Sequence, residues 1–192
     1  MKYLLFFLCC SLVSCAATQL SGDKENPTII SKERNFPETW EGVYQGNLDI
    51  YTADGLQQSV AMALEIRPIA ESDRWIWAIT YGPDSISGRR SYELIIVDSA
   101  KGHYQIDEKN SIVLDAFLRG NIFVSRFSVM GNLLDCTYEK SGDEIIFTIV
   151  MGKETAALNT GGGVIESDTI PVVRAYPAEV VQRGKLKRYG GN

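Results

Sequence analysis

The stretch that decides the fold is residues 39–51, TWEGVYQGNLDIY. Every second residue from Trp40 onward is apolar, aromatic or glycine, and most of the intervening residues are polar. Side chains of a β-strand point alternately to its two faces, so a period of two with one polar face predicts a strand that is buried on one side. No window of ten or more residues has a convincing helical period.

The same period recurs along the chain. Turn signals, among them Asp54-Gly55 and Gly82-Pro83, separate the segments, and from residue 100 onward they fall about every ten residues, which is typical of short strands joined by hairpins. The predicted strands after the first are SVAMALEIRP, DRWIWAITY, RSYELIIVDS, GHYQID, SIVLDAFL, NIFVSRFSV, LLDCTYE, DEIIFTIVM and TIPVVRAYP.

About ten strands in one open sheet would leave two long edges, which soluble proteins avoid. Closure removes both edges, so we predict an all-β fold, an antiparallel up-and-down β-barrel of about ten strands, in residues 38–192. A β-sandwich is the alternative, although its Greek-key connections need some long crossovers and the hairpins here are short. The one long connection, residues 152–168, precedes the final predicted strand.

The first residues predict the cellular localisation of the protein. Lys2 is followed by an apolar run, residues 3–13, that is too short to span a bilayer as a helix, for which about 20 residues are needed. A positive start, a short apolar core and small residues at its end are typical of a secretory signal peptide. Residues 12–15, LVSC, resemble the lipobox of bacterial lipoproteins, which implies cleavage before Cys15 and lipidation of Cys15. An ordinary signal peptide with an incidental cysteine is the alternative.

The lipobox divides the chain into three parts. Residues 1–14 are the lipoprotein signal peptide, residues 15–37 are the lipidated cysteine and a flexible polar tether, and residues 38–192 are the barrel domain. Residue 16 is Ala rather than Asp, which in the lipoprotein class implies sorting to the outer membrane. The expected localisation is therefore the cell envelope, with the membrane as a partner through the lipid on Cys15.

Composition argues against several functions. Removing residues 1–14 takes away only the charge of Lys2 and leaves 18 basic against 24 acidic residues, a net charge of −6, whereas general nucleic-acid binding needs a basic face. His103 is the only histidine, and Cys136 is the one cysteine of the mature chain besides Cys15. Zinc clusters of Cys and His are therefore absent. We expect no cofactor, no metal ion and no catalytic residues, so the protein is not expected to be an enzyme.

A short N-terminal segment, then Trp40, then a meander of about ten strands resembles the calycin architecture of lipocalins, fatty-acid-binding proteins and nitrobindin-like barrels. Residues 40–42, WEG, with Gly46 are similar to the W-x-G opening of the nitrobindin-like group. Two departures are that Glu38 stands where the lipocalin signature has Gly, and that the tight turn at Asp54-Gly55 replaces the helical lid of fatty-acid-binding proteins. The resemblance implies a ligand-binding barrel in which Trp40 is a buried structural residue.

Two features are candidates for a ligand site. Arg174 and Tyr176 share a face of the predicted last strand, and this Arg-x-Tyr is similar to the pair that holds a carboxylate in intracellular fatty-acid-binding proteins. Alternatively, Arg174 closes the barrel floor by stacking on Trp40, as an arginine does in lipocalins, or it faces solvent. Inward-facing aromatic side chains would either line a cavity or fill it; the set is Trp75, Trp77, Tyr81, Tyr92, Tyr104, Phe123, Phe127, Tyr138 and Phe147. The four candidates for contact with the apolar tail of a ligand are Trp75, Trp77, Phe123 and Phe127.

We therefore expect a membrane-anchored lipoprotein whose barrel binds a small apolar or amphipathic, lipid-like ligand. The alternative is a non-enzymatic accessory subunit of an envelope assembly with a filled barrel, whose protein partner the sequence does not name. The basic segment that follows Arg174 is either an added edge strand with a solvated end or a contact with anionic lipid headgroups.

Overall fold

The computed structural model describes residues 35–83 and 87–190. The long strands are β1 Gly42–Thr52, β2 Gly55–Pro68, β3 Arg74–Tyr81, β4 Arg89–Asp98, β5 His103–Asp107, β6 Val113–Arg119, β7 Ile122–Val129, β8 Asn132–Ser141, β9 Glu144–Lys153 and β14 Val180–Arg188. Four short strands precede β14: β10 Leu158–Thr160, β11 Val164–Ile165, β12 Asp168–Thr169 and β13 Val173–Ala175. Two 3-10 helices complete the described elements, Glu38–Trp40 and Ser99–Lys101.

The ten long strands form one closed antiparallel barrel. Each strand from β1 to β9 pairs with the next one in sequence, and β14 lies between β9 and β1. In the closing pair, Tyr44 lies opposite Arg188 and Tyr51 lies opposite Val181. The predicted fold class is confirmed, and the sandwich alternative is wrong because the long strands form a single closed sheet.

The turn between β7 and β8 illustrates how local sequence sets the meander. Only Met130 and Gly131 connect the two strands, and both have positive φ angles, 51° and 75°. Two-residue hairpins of this backbone type match the right-handed twist of the flanking strands, and a glycine adopts positive φ without steric cost. Gly131 therefore provides the local signal for this turn, as the glycines of the other turn dipeptides do.

The prediction for the last barrel strand was wrong. TIPVVRAYP, residues 169–177, does not enter the barrel; its central part is β13, which pairs with β10. The barrel instead closes with β14, in the basic segment that we predicted to be an added edge strand or a headgroup contact. β14 is paired on both sides, so it is not an edge strand.

The sequence of β14 explains why it was missed. Five residues of β14 face the interior, and only two of them, Val180 and Leu186, are large and apolar; the others are Gln182, Gly184 and Arg188. On the outer face, Lys185 and Lys187 lie 3.0 and 3.6 Å from the carboxylate of Glu144 on β9. The strand is therefore stabilised by pairing with its two neighbours more than by an apolar pattern of its own.

A close approach between β1 and β14 gives the first prediction. A Cβ atom at Gly46 would lie 2.1 Å from the backbone oxygen of Lys185. Gly46→Ala should therefore push the closing strands apart and lower the free energy of unfolding by about 1–3 kcal/mol. Urea unfolding of the mature chain measures this loss. Gly163→Ala is the control, since nothing lies within 4 Å of a Cβ there, and an equal effect of both substitutions would contradict the prediction.

Residues between β9 and β14 form a two-stranded arm. β10 pairs with β13, and β11 pairs with β12 in the same register further along the hairpin. Large apolar side chains of the arm are exposed; they are Leu158, Val164, Ile165, Val172, Val173 and Tyr176. The long connection predicted between residues 152 and 168 is thus part of an ordered hairpin that leaves the barrel and returns to it.

The two ends of the barrel differ. We call the end at which the chain enters, beside Trp40, the closed end; the turns after β2, β4, β6 and β8 lie there. The opposite end, which we call the open end, carries the turns after β1, β3, β5 and β7 and the base of the arm. Because an up-and-down barrel alternates its turns between two ends, this division follows directly from the strand order.

Candidate functional site

The closed end is filled by aromatic side chains. Phe36, which precedes the first strand, inserts into the barrel, and its ring centroid lies 5.0 Å from that of Trp40, 4.8 Å from that of Tyr104 and 5.1 Å from that of Phe123. Trp77 packs against Phe123 at 5.1 Å. All five side chains are buried, so this half of the barrel is a packed core rather than a binding cavity.

A chain of polar contacts ties the last strand to the entry segment. Arg188 donates from Nη2 to the hydroxyl of Tyr44 at 2.9 Å, and that hydroxyl donates to the backbone oxygen of Trp40 at 3.0 Å. The Arg188 guanidinium also lies over the Tyr44 ring, 5.2 Å from its centroid. An arginine of the closing strand therefore does pack on an aromatic ring at this end of the barrel. The pair is Arg188 and Tyr44, whereas the alternative from the sequence placed Arg174 on Trp40.

The open half of the barrel is not filled in the same way. A row of inward-facing residues crosses five neighbouring strands there, each paired with the next. Ser125 is buried, and the other four are half-buried; they are Cys136, Ile149, Gln182 and Ile50. Further inward-facing residues of this half are also half-buried, including Val60, Tyr81, Leu114, Phe127 and Leu134. Val60, Tyr81 and Leu114 pack against the buried core from the side of the open end.

Polar side chains also face the interior in the open half of the barrel. Tyr81 lies opposite buried Met62, and Tyr92 lies opposite buried Trp77, so both tyrosines face inward. Burial raises the pKa of Tyr81 to about 12, with smaller contributions from Cys136 and Tyr92. Burial likewise raises the pKa of the Cys136 thiol to about 12. Cys136 is therefore a protonated, weakly reactive thiol at neutral pH.

Arg90 belongs to the same end. It is the second residue of β4 and pairs across the sheet with Ile79, which is buried and faces inward. Arg90 therefore lies on the interior face of the barrel wall, at the rim of the open end. The charge of Arg90 opposes the burial that raises the pKa values of Tyr81 and Tyr92. The arrangement brings one guanidinium and two hydroxyls to the mouth of a partly apolar interior.

The predicted ligand residues do not form one site. Arg174 and Tyr176 lie on or beside β13 in the exposed arm, outside the barrel. Trp75, Trp77 and Phe123 are buried, and Trp77 and Phe123 belong to the packed closed half. Of the four aromatic candidates, Phe127 alone is in the accessible half. Arg174 therefore shares no interior with these aromatic side chains, because the strand that carries it never enters the barrel.

Other predicted features have different outcomes. Trp40 is only 4% exposed and lies in the 3-10 helix directly before β1. Cys15, the predicted signal peptide and all but the last residues of the tether lie outside the described residues. The residue that the sequence analysis missed is Arg90, whereas Tyr81 and Tyr92 were among its aromatic candidates. A signal was present, because Arg90 has the same phase as Tyr92 in RSYELIIVDS.

Among the described residues, no group of three or more His, Cys, Asp or Glu side chains is arranged to hold a metal ion. No helix in the described ranges combines the length and the apolar character needed to cross a bilayer. His103, on the outer face of β5, places Nε2 2.7 Å from the Asp115 carboxylate and stacks on Phe117.

No protein-family model matches this sequence, and no curated protein matches it.

The fold is similar to that of a crystallised protein of unknown function from the DUF3598 family of Nostoc punctiforme PCC 73102. The two structures align with a TM-score of 0.51 at 10% sequence identity, over 78% of this chain and 47% of that chain. This chain thus spans about half the length of its structural neighbour. The similarity supports the barrel fold and carries no function with it.

Proposed function

We propose that this protein is an outer-membrane lipoprotein, anchored through Cys15, whose barrel binds a small apolar or amphipathic ligand in its open half. The observation that carries the binding proposal is the difference between the two halves of one barrel. Fully buried aromatic side chains fill the closed end, whereas most inward-facing residues near the open end are only half-buried. Barrels of about eight strands are just wide enough for side chains or one small ligand, and ten strands leave more room.

The lining of the open half matches an amphipathic molecule. Apolar contact would come from Val60, Leu114, Phe127 and Ile149, while Tyr81, Tyr92 and Gln182 offer polar groups. Ligand pockets commonly combine a mostly apolar wall with a few polar groups that fix orientation. The proposal is of binding without catalysis: the only histidine of the chain lies on the outer wall, bonded to Asp115.

Filling the open half tests this proposal. Ile149 faces inward and Val150, the next residue of β9, faces outward. Ile149→Trp should lower the affinity for dodecanol or dodecanoate at least about tenfold, because the larger side chain occupies the space of the ligand. Calorimetric titration of the mature chain carrying Cys15→Ala measures the affinity.

Val150→Trp is the matched control and should bind like the parent. Equal weakening by both substitutions would indicate general destabilisation. The absence of saturable binding of either lipid by the parent chain would contradict a ligand-binding barrel.

A second candidate function is that of an accessory subunit in an envelope assembly. Of the fifteen large apolar side chains that the described residues expose, twelve lie at the open end or on the arm, including Met130 at 93% exposure. Clusters of exposed apolar residues mark interaction sites. Comparing the Ile149→Trp variant with a double substitution in the arm, Val164→Ser and Ile165→Ser, separates the two functions. The measurement is cross-linking to other proteins in native membranes. A cross-linked adduct that is lost in the arm variant and kept in the Ile149→Trp variant would favour the accessory subunit.

A further inference from the structure

We propose that the ligand of the open half is an anionic amphiphile whose headgroup is held at the mouth by Arg90 while its apolar tail enters the barrel. This inference rests on the proposed function, because it names the ligand class of the same site. The headgroup chemistry is that of a carboxylate or a phosphate ester, both of which a guanidinium can bind through two parallel hydrogen bonds.

Two consecutive arginines at the start of β4 point to opposite faces. Arg89 faces outward, where Nη2 lies 2.8 Å from the Glu65 carboxylate and Nε donates to Ser91 at 3.3 Å. Arg90 faces the interior side, as its pairing with buried Ile79 requires. The outward arginine therefore has its counter-ion on β2, two strands away, and the side chain of Arg90 is exposed at the rim of the open end.

Within residues 35–83 and 87–190, Arg90 forms no ion pair of this kind. Its hydrogen bonds go from Nη1 to the backbone oxygens of Ser87 and Arg89, at 3.3 and 3.4 Å. A guanidinium carries five N–H donors, so Nε and Nη2 are available to a ligand.

The two tyrosines complete a set of donors. Tyr81 and Tyr92 face inward on the strands that flank the β3–β4 loop, and the charge of Arg90 acts on both hydroxyls. Glu108 also faces Tyr92, where its charge opposes that of Arg90. A guanidinium and two hydroxyls at the edge of a low-dielectric interior attract a negative headgroup more strongly than the same groups in water.

The apolar part of the ligand would lie against apolar side chains that face the interior near the open end. The inward faces of β2, β6, β7 and β9 contribute half-buried Val60, Leu114, Phe127 and Ile149. The packed aromatic cluster around Phe36 closes the path below them. A molecule with one charged end and one apolar tail fits this order of polar rim, apolar wall and closed floor.

Arg90→Gln tests the inference, with Arg89→Gln as the matched control on the outer face. Calorimetric titration of the mature Cys15→Ala chain uses dodecanoate, dodecyl phosphate and uncharged dodecanol as probes. We expect at least one anion to bind about ten- to a hundredfold more tightly than dodecanol, and Arg90→Gln to abolish this preference. Arg89→Gln should keep it. The tighter of the two anions identifies the headgroup, and Glu108→Gln should strengthen its binding.

Equal affinity of the parent for dodecanol and both anions would overturn the inference and leave the proposed function in place. A preference for anions that persists in Arg90→Gln would also overturn it. If none of the three probes binds the parent, the proposed function fails as well. Thermal unfolding of each variant identifies loss of folding, and Arg90→Lys, which keeps the charge, should then retain part of the preference.

Discussion

Trp40→Ala should lower the free energy of unfolding by about 3–5 kcal/mol, the usual range for truncating a buried aromatic side chain. Trp40 packs edge-on against Phe36, and its backbone oxygen accepts the hydrogen bond from Tyr44 that links the entry segment to Arg188. Loss of the indole would leave a cavity at the closed end and loosen the insertion of Phe36. Urea unfolding of the mature Cys15→Ala chain measures the effect.

Tyr189→Ala is a suitable control for the Trp40 variant. Tyr189 is also aromatic and close to the closed end, but it is 69% exposed. Its truncation should change the free energy of unfolding by less than about 0.5 kcal/mol. A loss below about 1 kcal/mol for Trp40→Ala would show that the entry segment does not contribute to the core as its burial implies.

Cys15→Ser should abolish lipid labelling of the protein in cells and stop processing at the predicted lipobox. Under the proposed lipobox the acyl chains would attach to the thiol of Cys15 and to the new amino terminus, so a serine at this position would offer no thiol for the first step. Multiple acyl chains give stable anchoring, and their loss should release the barrel from the membrane. Metabolic labelling with a fatty-acid analogue and membrane fractionation measure both effects.

Cys136→Ser serves as the control for Cys15→Ser. Cys136 lies in the barrel wall on β8 and is not an expected site of lipidation. The Cys136→Ser protein should therefore be labelled, processed and membrane-bound like the parent. A Cys15→Ser protein that is still labelled, processed and membrane-bound would disprove the lipobox assignment. The ligand proposals would survive that result, because they rest on the barrel alone.

Together the variants separate anchor, fold and ligand site. Cys15→Ser changes attachment without touching the barrel, and Gly46→Ala and Trp40→Ala change stability without touching the open half. Ile149→Trp and Arg90→Gln act on opposite ends of the proposed ligand, its tail and its headgroup. A protein that unfolds normally in the last two variants but fails to bind would therefore identify the open half as the functional site.

The sequence by itself determined the number and position of most strands. The alternation from Trp40 to Ile50 and its recurrence up to residue 151 are local signals, as are turn residues such as Gly131. Each depends on neighbouring residues only, so it can be recognised without knowing what the strand pairs with. The conclusion that about ten strands need closure follows from the same information, because edges must be removed.

Only the tertiary structure decided which segment closes the barrel and which half is filled. β14 has only two large apolar inward residues, Val180 and Leu186, and is held by pairing with β9 and β1. The contact of Arg188 with Tyr44 joins residues 144 positions apart. Phe36 fills the closed end from outside any strand. The proposed ligand site includes Arg90 rather than Arg174 for the same reason. Long-range pairing, which no local period records, determines whether an arginine faces the interior of the barrel or belongs to the arm.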